Sequence, residues 1–167
     1  MKTSTLRVAA LGVLGTLVVA GCSATPATPA WTYPPAPAST PAVITSALVA
    51  EVHRNPACSC CHEWEAYLRD AGWEVRAIDV EDMSSFKQSH ELPESTWSCH
   101  TAIIDGYVVE GHVPLAAIED LLAARPAIDG IALAGMPPGS PGMPGDKEAP
   151  FAVVSVTDGV VAAFGSY

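Results

Sequence analysis

Positive charge is scarce in this chain of 167 residues, which carries 8 Lys and Arg against 18 Asp and Glu. Removal of an N-terminal targeting segment, argued below, takes away Lys2 and Arg7 and changes the net charge from −10 to −12. Nucleic-acid backbones are bound by clustered basic surfaces. Scattered basic residues cannot form such a surface, so nucleic-acid binding is excluded, whereas small cations and basic or neutral partners are permitted.

The patterns of several enzyme classes are also missing. The sequence has no Ser/His/Asp triad, no loop that would cradle a phosphate and no paired carboxylates of a hydrolase. It has no internal repeat. The length allows one ordinary domain with extensions rather than two large domains.

No apolar run is long enough to span a membrane comfortably. The basic segment Met1–Arg7 leads into the run Leu6–Ala20, which is shorter than the about 20 residues of a transmembrane helix and is typical of a secretory signal. The run ends in Val-Ala-Gly-Cys-Ser at 19–23, which resembles a bacterial lipobox. We therefore expect a lipoprotein signal peptide at 1–21 and lipid attachment at Cys22. The protein would be exported and lipid-anchored in a membrane of the bacterial cell envelope, on its periplasmic or extracellular face. Ordinary signal cleavage with an incidental Cys22 is the alternative.

The segment at 22–41 contains no charge and is rich in Ala, Thr and Pro. Such a segment cannot bury enough surface to order itself, so it is predicted to be a semi-extended tether. It would hold one domain, at 42–167, away from the membrane surface. That length is sufficient for one hydrophobic core.

Apolar periodicity in this domain alternates between strand and helix patterns. Strands are predicted at Ala47–His53, Trp73–Asp79, Thr101–Ile104 and Tyr107–Glu110, and helices at Cys61–Ala71, at Asp82–His90 and from Pro114 to the residue before Pro126. The resulting order, β-α-β-α-β-β-α, is that of a thioredoxin-like α/β domain. A further C-terminal β-hairpin, Phe151–Val156 with Val160–Phe164, is expected to extend or cover the sheet. The segment Gly135–Lys147, between the last predicted helix and this hairpin, is predicted to be a Pro/Gly loop.

Cysteines are clustered rather than spread. Cys58, Cys60 and Cys61 fall within four residues, between the first strand and the first helix. An even cysteine count in an exported domain usually indicates disulfides, but clustering favours soft-metal binding or thiol chemistry. Cys58 and Cys61 have the Cys-x-x-Cys spacing of a dithiol site at a helix N-terminus. Cys60 adds a third sulfur that simple dithiol exchange does not need.

Further soft ligands lie elsewhere in the sequence. Cys99 and His100 precede the third strand, which the predicted fold places beside the N-terminus of the first helix. Met136 and Met143 lie in the Pro/Gly loop, where no helical stripe accounts for them. Thioethers favour Cu(I) over hard cations. The sequence therefore predicts a metal site.

Three motifs carry a resemblance to one bacterial family. They are Cys-Ser-Cys-Cys-His-Glu-Trp at 58–64, Ser-Cys-His-Thr-Ala-Ile-Ile-Asp-Gly-Tyr-Val-Val-Glu-Gly-His-Val-Pro at 98–114, and Gly-Met-Pro-Pro-Gly-Ser-Pro-Gly-Met at 135–143. Together they resemble the CopG-like copper-resistance proteins of the cell envelope, over nearly all of Ala47–Phe164. The resemblance implies a thioredoxin-like domain that binds copper through clustered cysteines as a multinuclear thiolate-bridged cluster. It also implies redox handling of Cu(I) and Cu(II).

The predicted function is therefore sequestration of Cu(I), with several ions per chain, in copper resistance or homeostasis. The predicted ligands are Cys58, Cys60, Cys61 and Cys99, with His100, Met136 and Met143 in second rank. The expected partners are copper ions and a copper-export or redox protein of the envelope. His112 is expected to form a hydrogen bond at the start of the following helix rather than to bind metal.

Two alternatives remain open. The first is an envelope thiol-disulfide oxidoreductase that uses Cys58 and Cys61. The second is a metal-independent interaction module with the cysteines disulfide-bonded, for which one disulfide and a spare buried thiol would suffice in Cys58, Cys60 and Cys61.

Overall fold

The computed structural model describes residues 48–167. The predicted signal peptide at 1–21, the lipid-attachment residue Cys22 and the tether at 22–41 lie outside the described residues and stay predictions. Within 48–167, no helix is both long enough and apolar enough to cross a membrane.

The described residues form a mixed α/β domain with a seven-stranded sheet. The strands are β1 (Val49–Arg54), β2 (Glu74–Asp79), β3 (His100–Ile104), β4 (Tyr107–Glu110), β5 (Gly130–Ala132), β6 (Ala152–Thr157) and β7 (Val160–Ser166). The α-helices are α1 (Ser59–Asp70), α2 (Met83–Ser89) and α3 (Leu115–Ala124), and a 3₁₀ helix spans Glu94–Thr96. The predicted α/β class and the predicted order of elements from β1 to α3 are confirmed.

The strand order in the sheet is β2-β1-β3-β4-β5-β6-β7. Strand β1 is parallel to β2 and antiparallel to β3, and β4 is antiparallel to β3 and parallel to β5. The predicted C-terminal hairpin, β6 with β7, extends the sheet rather than covering it. Its turn residues Asp158 and Gly159 have φ values of 49° and 73°. Two consecutive positive φ values are what a two-residue type I′ turn requires, so this Asp-Gly pair forms the turn of the predicted hairpin.

Strand β5 is not predicted by the sequence. It contains only Gly-Ile-Ala, which is too short to show alternation, and it forms through pairing with β4 and β6. Gly130 permits that pairing, because a Cβ atom there would overlap the backbone of Val108 on β4.

The helices pack on two faces of the sheet. Trp64 and Leu68 of α1 and Ile118 of α3 are buried in one core with Val52 and Ala102 of the strands. Side chains alternate between faces along a strand. Their neighbours His53 and Thr101 accordingly face α2, where the His53 ring stacks on Phe86 and the Thr101 hydroxyl accepts a hydrogen bond from Lys87.

Helix α1 starts two residues earlier than predicted. Cys58 is its N-cap, with extended backbone at φ −79° and ψ 96°, so Cys60 and Cys61 lie in the first helical turn. Helix α2 begins after Asp82, whose carboxylate accepts a hydrogen bond from the backbone N–H of Ser85 at 3.1 Å. Asp82 is therefore a helix cap, as its position predicts.

Candidate metal centre

The cysteines of the described residues meet at the N-terminus of α1. Cys58 is the N-cap of α1, Cys60 and Cys61 lie in its first turn, and Cys99 precedes β3. Their four sulfur atoms all lie within 4.8 Å of one another. The Cys60 Sγ is central, at 3.5 Å from the Cys58 Sγ and 3.6 Å from the Cys99 Sγ. The antiparallel pairing of β1 with β3 brings these two segments together.

Two of these sulfurs are covalently joined. Cys58 and Cys61 form a disulfide, whereas Cys60 and Cys99 are free thiols. A disulfide sulfur carries no thiolate charge, so a site with four thiolates exists only after this bond is reduced. The disulfide joins the Cys-x-x-Cys pair of the oxidoreductase alternative. The alternative of a metal-independent interaction module stays a prediction.

The Cys99 thiol is held in its protonated form. Burial, followed by the neighbouring Cys60 thiol, raises the pKa of Cys99 from 9.0 to about 12. A thiol with such a pKa is neutral at physiological pH. Loss of its proton therefore needs a compensating positive charge, which a bound cation supplies.

His112 lies in direct contact with the cysteines. Its Nε2 atom is 2.9 Å from the Cys99 Sγ, and its Nδ1 donates a hydrogen bond to the carbonyl of Pro141 at 2.7 Å. Burial lowers the pKa of His112, so the ring is neutral. With the proton fixed on Nδ1, the Nε2 lone pair points at the Cys99 sulfur. His112 thus bonds to the Pro/Gly loop rather than to the start of α3, where its hydrogen bond was expected, and its contact with Cys99 was not predicted.

Gly111 brings His112 to this position. It has a φ of 79°, and a Cβ atom there would lie 2.5 Å from the Ser98 Cβ and 2.6 Å from the Leu133 carbonyl oxygen. Only glycine allows this close approach. The Gly-His-Val-Pro sequence at 111–114 was therefore the available signal, with glycine marking the contact.

His100 is fully buried on the α1 side of the sheet. Its Nδ1 is 3.3 Å from the Cys99 Sγ, and its ring packs 4.5 Å from Trp64 and 4.9 Å from His112, measured between ring centroids. Burial above all, and then the Lys87 ammonium, lower the pKa of His100 well below its usual value. Its Nε2 is buried and has no hydrogen-bond partner among residues 48–167. Cys99, His100 and His112 thus form a second group of donors within 4.8 Å of one another.

The Pro/Gly loop contacts the site and the segment before Cys99 at three points. The backbone N–H of Gly135 donates to the carbonyl of Trp97, and the Pro141 carbonyl accepts from His112. Gly142 crosses the first turn of α1, where a Cβ atom would lie 2.6 Å from the Trp64 nitrogen and 2.9 Å from the Cys60 carbonyl oxygen.

The two methionines of the loop differ in exposure. Met143 is half-buried and follows Gly142, so its backbone lies next to the cysteine turn. Met136 is at the surface with 52% of its area exposed. Ligation by either residue stays a prediction.

Thiols and neutral imidazoles are the donors preferred by soft and borderline transition metals. After reduction, the donor set fits such an ion. The unpaired buried Nε2 of His100 is consistent with an additional ligand, because buried ring nitrogens normally have a partner.

Comparisons with known proteins agree with this description. Residues 96–143 match a family model described as "Protein of unknown function, DUF411", a segment that contains Cys99, His100 and His112. No curated protein sequence matches the chain. Two solved structures are similar, "Copper resistance protein copG- Form 2" and "Copper resistance protein copG- Form 1". Each is 41% identical and covers 72% of this chain and 98% of the solved chain, with TM-scores of 0.67 and 0.66.

Proposed function

Because this chain belongs to the CopG family of copper-resistance proteins, we propose that it binds copper and sequesters Cu(I) outside the cytoplasm. The observation that carries the proposal is the convergence of four cysteine sulfurs within 4.8 Å, from two segments of the chain. Cu(I) is a soft ion that binds thiolates strongly. Bridging thiolates allow four sulfurs to satisfy several copper ions at once.

The oxidised pair sets a condition for binding. The disulfide between Cys58 and Cys61 has to accept two electrons and two protons, for example from a dithiol, before its sulfurs become ligands. Copper then replaces the thiol protons, including the proton of Cys99. His100 and His112, next to Cys99, are the imidazoles that would complete the coordination.

The location is proposed from the N-terminal sequence. The signal pattern at 1–21 and the lipobox cysteine Cys22 support export and lipid anchoring. In that position the protein would keep cuprous ion away from other thiols of the envelope. An export or redox protein of the envelope would exchange copper or electrons with it.

Anaerobic titration of the reduced protein with Cu(I) tests the proposal. We expect saturation above one copper per chain, with ultraviolet absorption from thiolate-to-copper charge transfer. Replacement of Cys58, Cys60 and Cys61 by Ser should abolish both signals. The matched control is Cys22→Ser, which removes a cysteine outside the domain and should leave binding unchanged. Uptake below one copper per chain would overturn the proposal.

A second candidate function is thiol-disulfide exchange. The observation that favours it is the disulfide of the Cys-x-x-Cys pair at the N-terminus of α1. Reduction of insulin at a rate near that of a thioredoxin, abolished by Cys58→Ser and unaffected by Cys60→Ser, would support this function. Insulin reduction that is lost in Cys60→Ser would not fit a simple dithiol site and would instead favour the metal site.

A further inference from the structure

A buried charged network lies on the α2 face of the sheet, behind the segment that carries Cys99. Glu110 is fully buried, and its Oε1 accepts hydrogen bonds from the Lys87 Nζ at 2.5 Å and from the backbone N–H of Ser98 at 2.6 Å. Its Oε2 accepts from the Thr101 hydroxyl at 2.6 Å. The Lys87 Nζ also donates to the Thr101 Oγ1 at 2.9 Å. Both carboxylate oxygens are therefore in use.

The hydrogen-bond partners of Glu110 lie on either side of two metal-centre residues in the sequence. Ser98 and Thr101 immediately precede and follow the pair Cys99–His100. One carboxylate thus fixes the backbone before this pair and the side chain after it. Thr101 lies directly opposite Glu110 in the pairing of β3 with β4, so the strand register sets this geometry.

Stability alone does not account for this network. Burying an ion pair costs desolvation energy that its mutual attraction often only offsets, and apolar pairs of similar volume frequently serve a core equally well. Lys87 shows the cost, because burial lowers its pKa while Glu110 acts to raise it. The network does supply a fixed acceptor for the Ser98 N–H, which apolar side chains cannot do.

We infer that Glu110, held in place by Lys87 and Thr101, is a positioning residue for Cys99 and His100. The inference rests on the proposed function, since it concerns the geometry of the same metal site. Helix α2, which contributes no predicted ligand, becomes part of the site through Lys87. Loss of the carboxylate charge leaves Lys87 unpaired and weakens the hold on Ser98, so Cys99 moves relative to Cys60.

Affinity for copper is the first test. Glu110→Gln keeps the shape of the side chain and Thr101→Val removes only the hydroxyl. We expect each variant, fully reduced, to bind Cu(I) about 10- to 100-fold more weakly, which is the usual effect of removing a residue that orients a ligand. The charge-transfer spectrum should also change. Thr101→Ser, which keeps the hydroxyl, should restore both affinity and spectrum.

A matched control separates positioning from general stability. Leu121→Ala truncates a fully buried side chain of α3, outside this network, and should lower the Tm. It should leave copper affinity and the spectrum unchanged. Wild-type affinity and spectrum in Glu110→Gln, or equal losses of affinity in Leu121→Ala at a similar Tm, would overturn the inference.

A metal-free readout keeps the inference testable if the protein takes up no copper. The Cys60 and Cys99 sulfurs are 3.6 Å apart, within reach of the dithiol-specific cross-linker dibromobimane. In a Cys22→Ser background with the Cys58–Cys61 disulfide intact, we expect cross-linking of Cys60 to Cys99 and, at equal reaction time, a several-fold lower yield in Glu110→Gln. The yield in Leu121→Ala should stay at the starting level. Failure of wild-type copper uptake would refute the proposed function, whereas an unchanged cross-linking yield in Glu110→Gln would refute the positioning role.

Discussion

The raised pKa of Cys99 predicts a reactivity that can be measured without any metal. The thiol pKa is about 12 in the folded protein against an ordinary value of 9.0. At pH 8 this difference reduces the thiolate fraction about 1000-fold relative to the unfolded chain. A thiolate of higher pKa is also more nucleophilic, with a Brønsted coefficient of about 0.4–0.5, which leaves a net slowing of about 30- to 60-fold.

Alkylation by iodoacetamide, followed peptide by peptide with mass spectrometry, measures this effect. The metal-free Cys22→Ser protein would be compared in buffer and in urea between pH 7 and pH 11. In the folded protein, the Cys99 rate should rise about tenfold per pH unit over the whole range, because the group stays below its pKa. In urea the rate should level off near pH 9.

Shielding of the sulfur slows alkylation equally at every pH, so it does not change the pH at which the plot of rate against pH has its inflection. An inflection of the folded protein at or below pH 9 would therefore refute the reasoning.

The raised pKa of Cys99 also has a consequence for stability. Because the folded pKa is above the unfolded pKa, the contribution of Cys99 is fully present below pH 9. It is then lost as the pH rises from 9 towards the folded pKa of about 12. Urea unfolding should therefore show a lower stability at pH 10 than at pH 8, and Cys99→Ser should lack this difference.

Four further predictions follow. In the Cys22→Ser protein, thiol titration in denaturant should give two free thiols before reduction and four after it; four thiols without reductant would contradict the disulfide. Gly142→Ala should lower stability and copper affinity, because its Cβ would lie 2.6 Å from the backbone of α1. The control Gly159→Ala has a similar positive φ but no atom within 4 Å of the added Cβ. It should therefore show only backbone strain, of about 1–3 kcal/mol. His112→Ala should weaken Cu(I) binding about tenfold or more, with His90→Ala at an exposed helix end as a neutral control, and equal affinities would contradict a role for His112. Fractionation should find the protein with membranes and the Cys22→Ser variant in the soluble fraction; an unchanged distribution would contradict the lipid anchor.

Local patterns in the sequence predict most of the fold. The apolar stripes of α1 and α3 and the Asp-Gly turns are encoded within a few residues, and the structure has them where periodicity places them. Boundaries are less well predicted. Helix α1 begins at Ser59 rather than Cys61 because the Cys58 backbone is extended and acts as the cap. Strand β5 depends on pairing with distant strands, which a three-residue pattern cannot indicate.

The residues of the candidate site also differ in how far the sequence predicts their positions. The convergence of Cys99 on the cysteine turn follows from the order of the strands and could be predicted. The place of His112 could not, because it depends on the approach of Gly111 to Ser98 and Leu133, which are distant in sequence. The role of Glu110 is hidden for a related reason. A carboxylate at a strand end looks exposed in the sequence, and only the pairing of β3 with β4 shows that it is buried against Thr101.

Metal sequestration and disulfide exchange compete for the same atoms. The Cys58 and Cys61 sulfurs bind copper or reduce a substrate disulfide only when they are reduced, and they act as an oxidant only when joined, so bound copper and disulfide exchange exclude each other. Cys60 distinguishes the two. It lies between Cys58 and Cys99, at 3.5 Å and 3.6 Å from their sulfurs, where a bridging ligand would lie and where a dithiol exchange site needs no third thiol. Cys60→Ser therefore separates the two functions, because it should damage copper uptake and leave any insulin reduction unchanged.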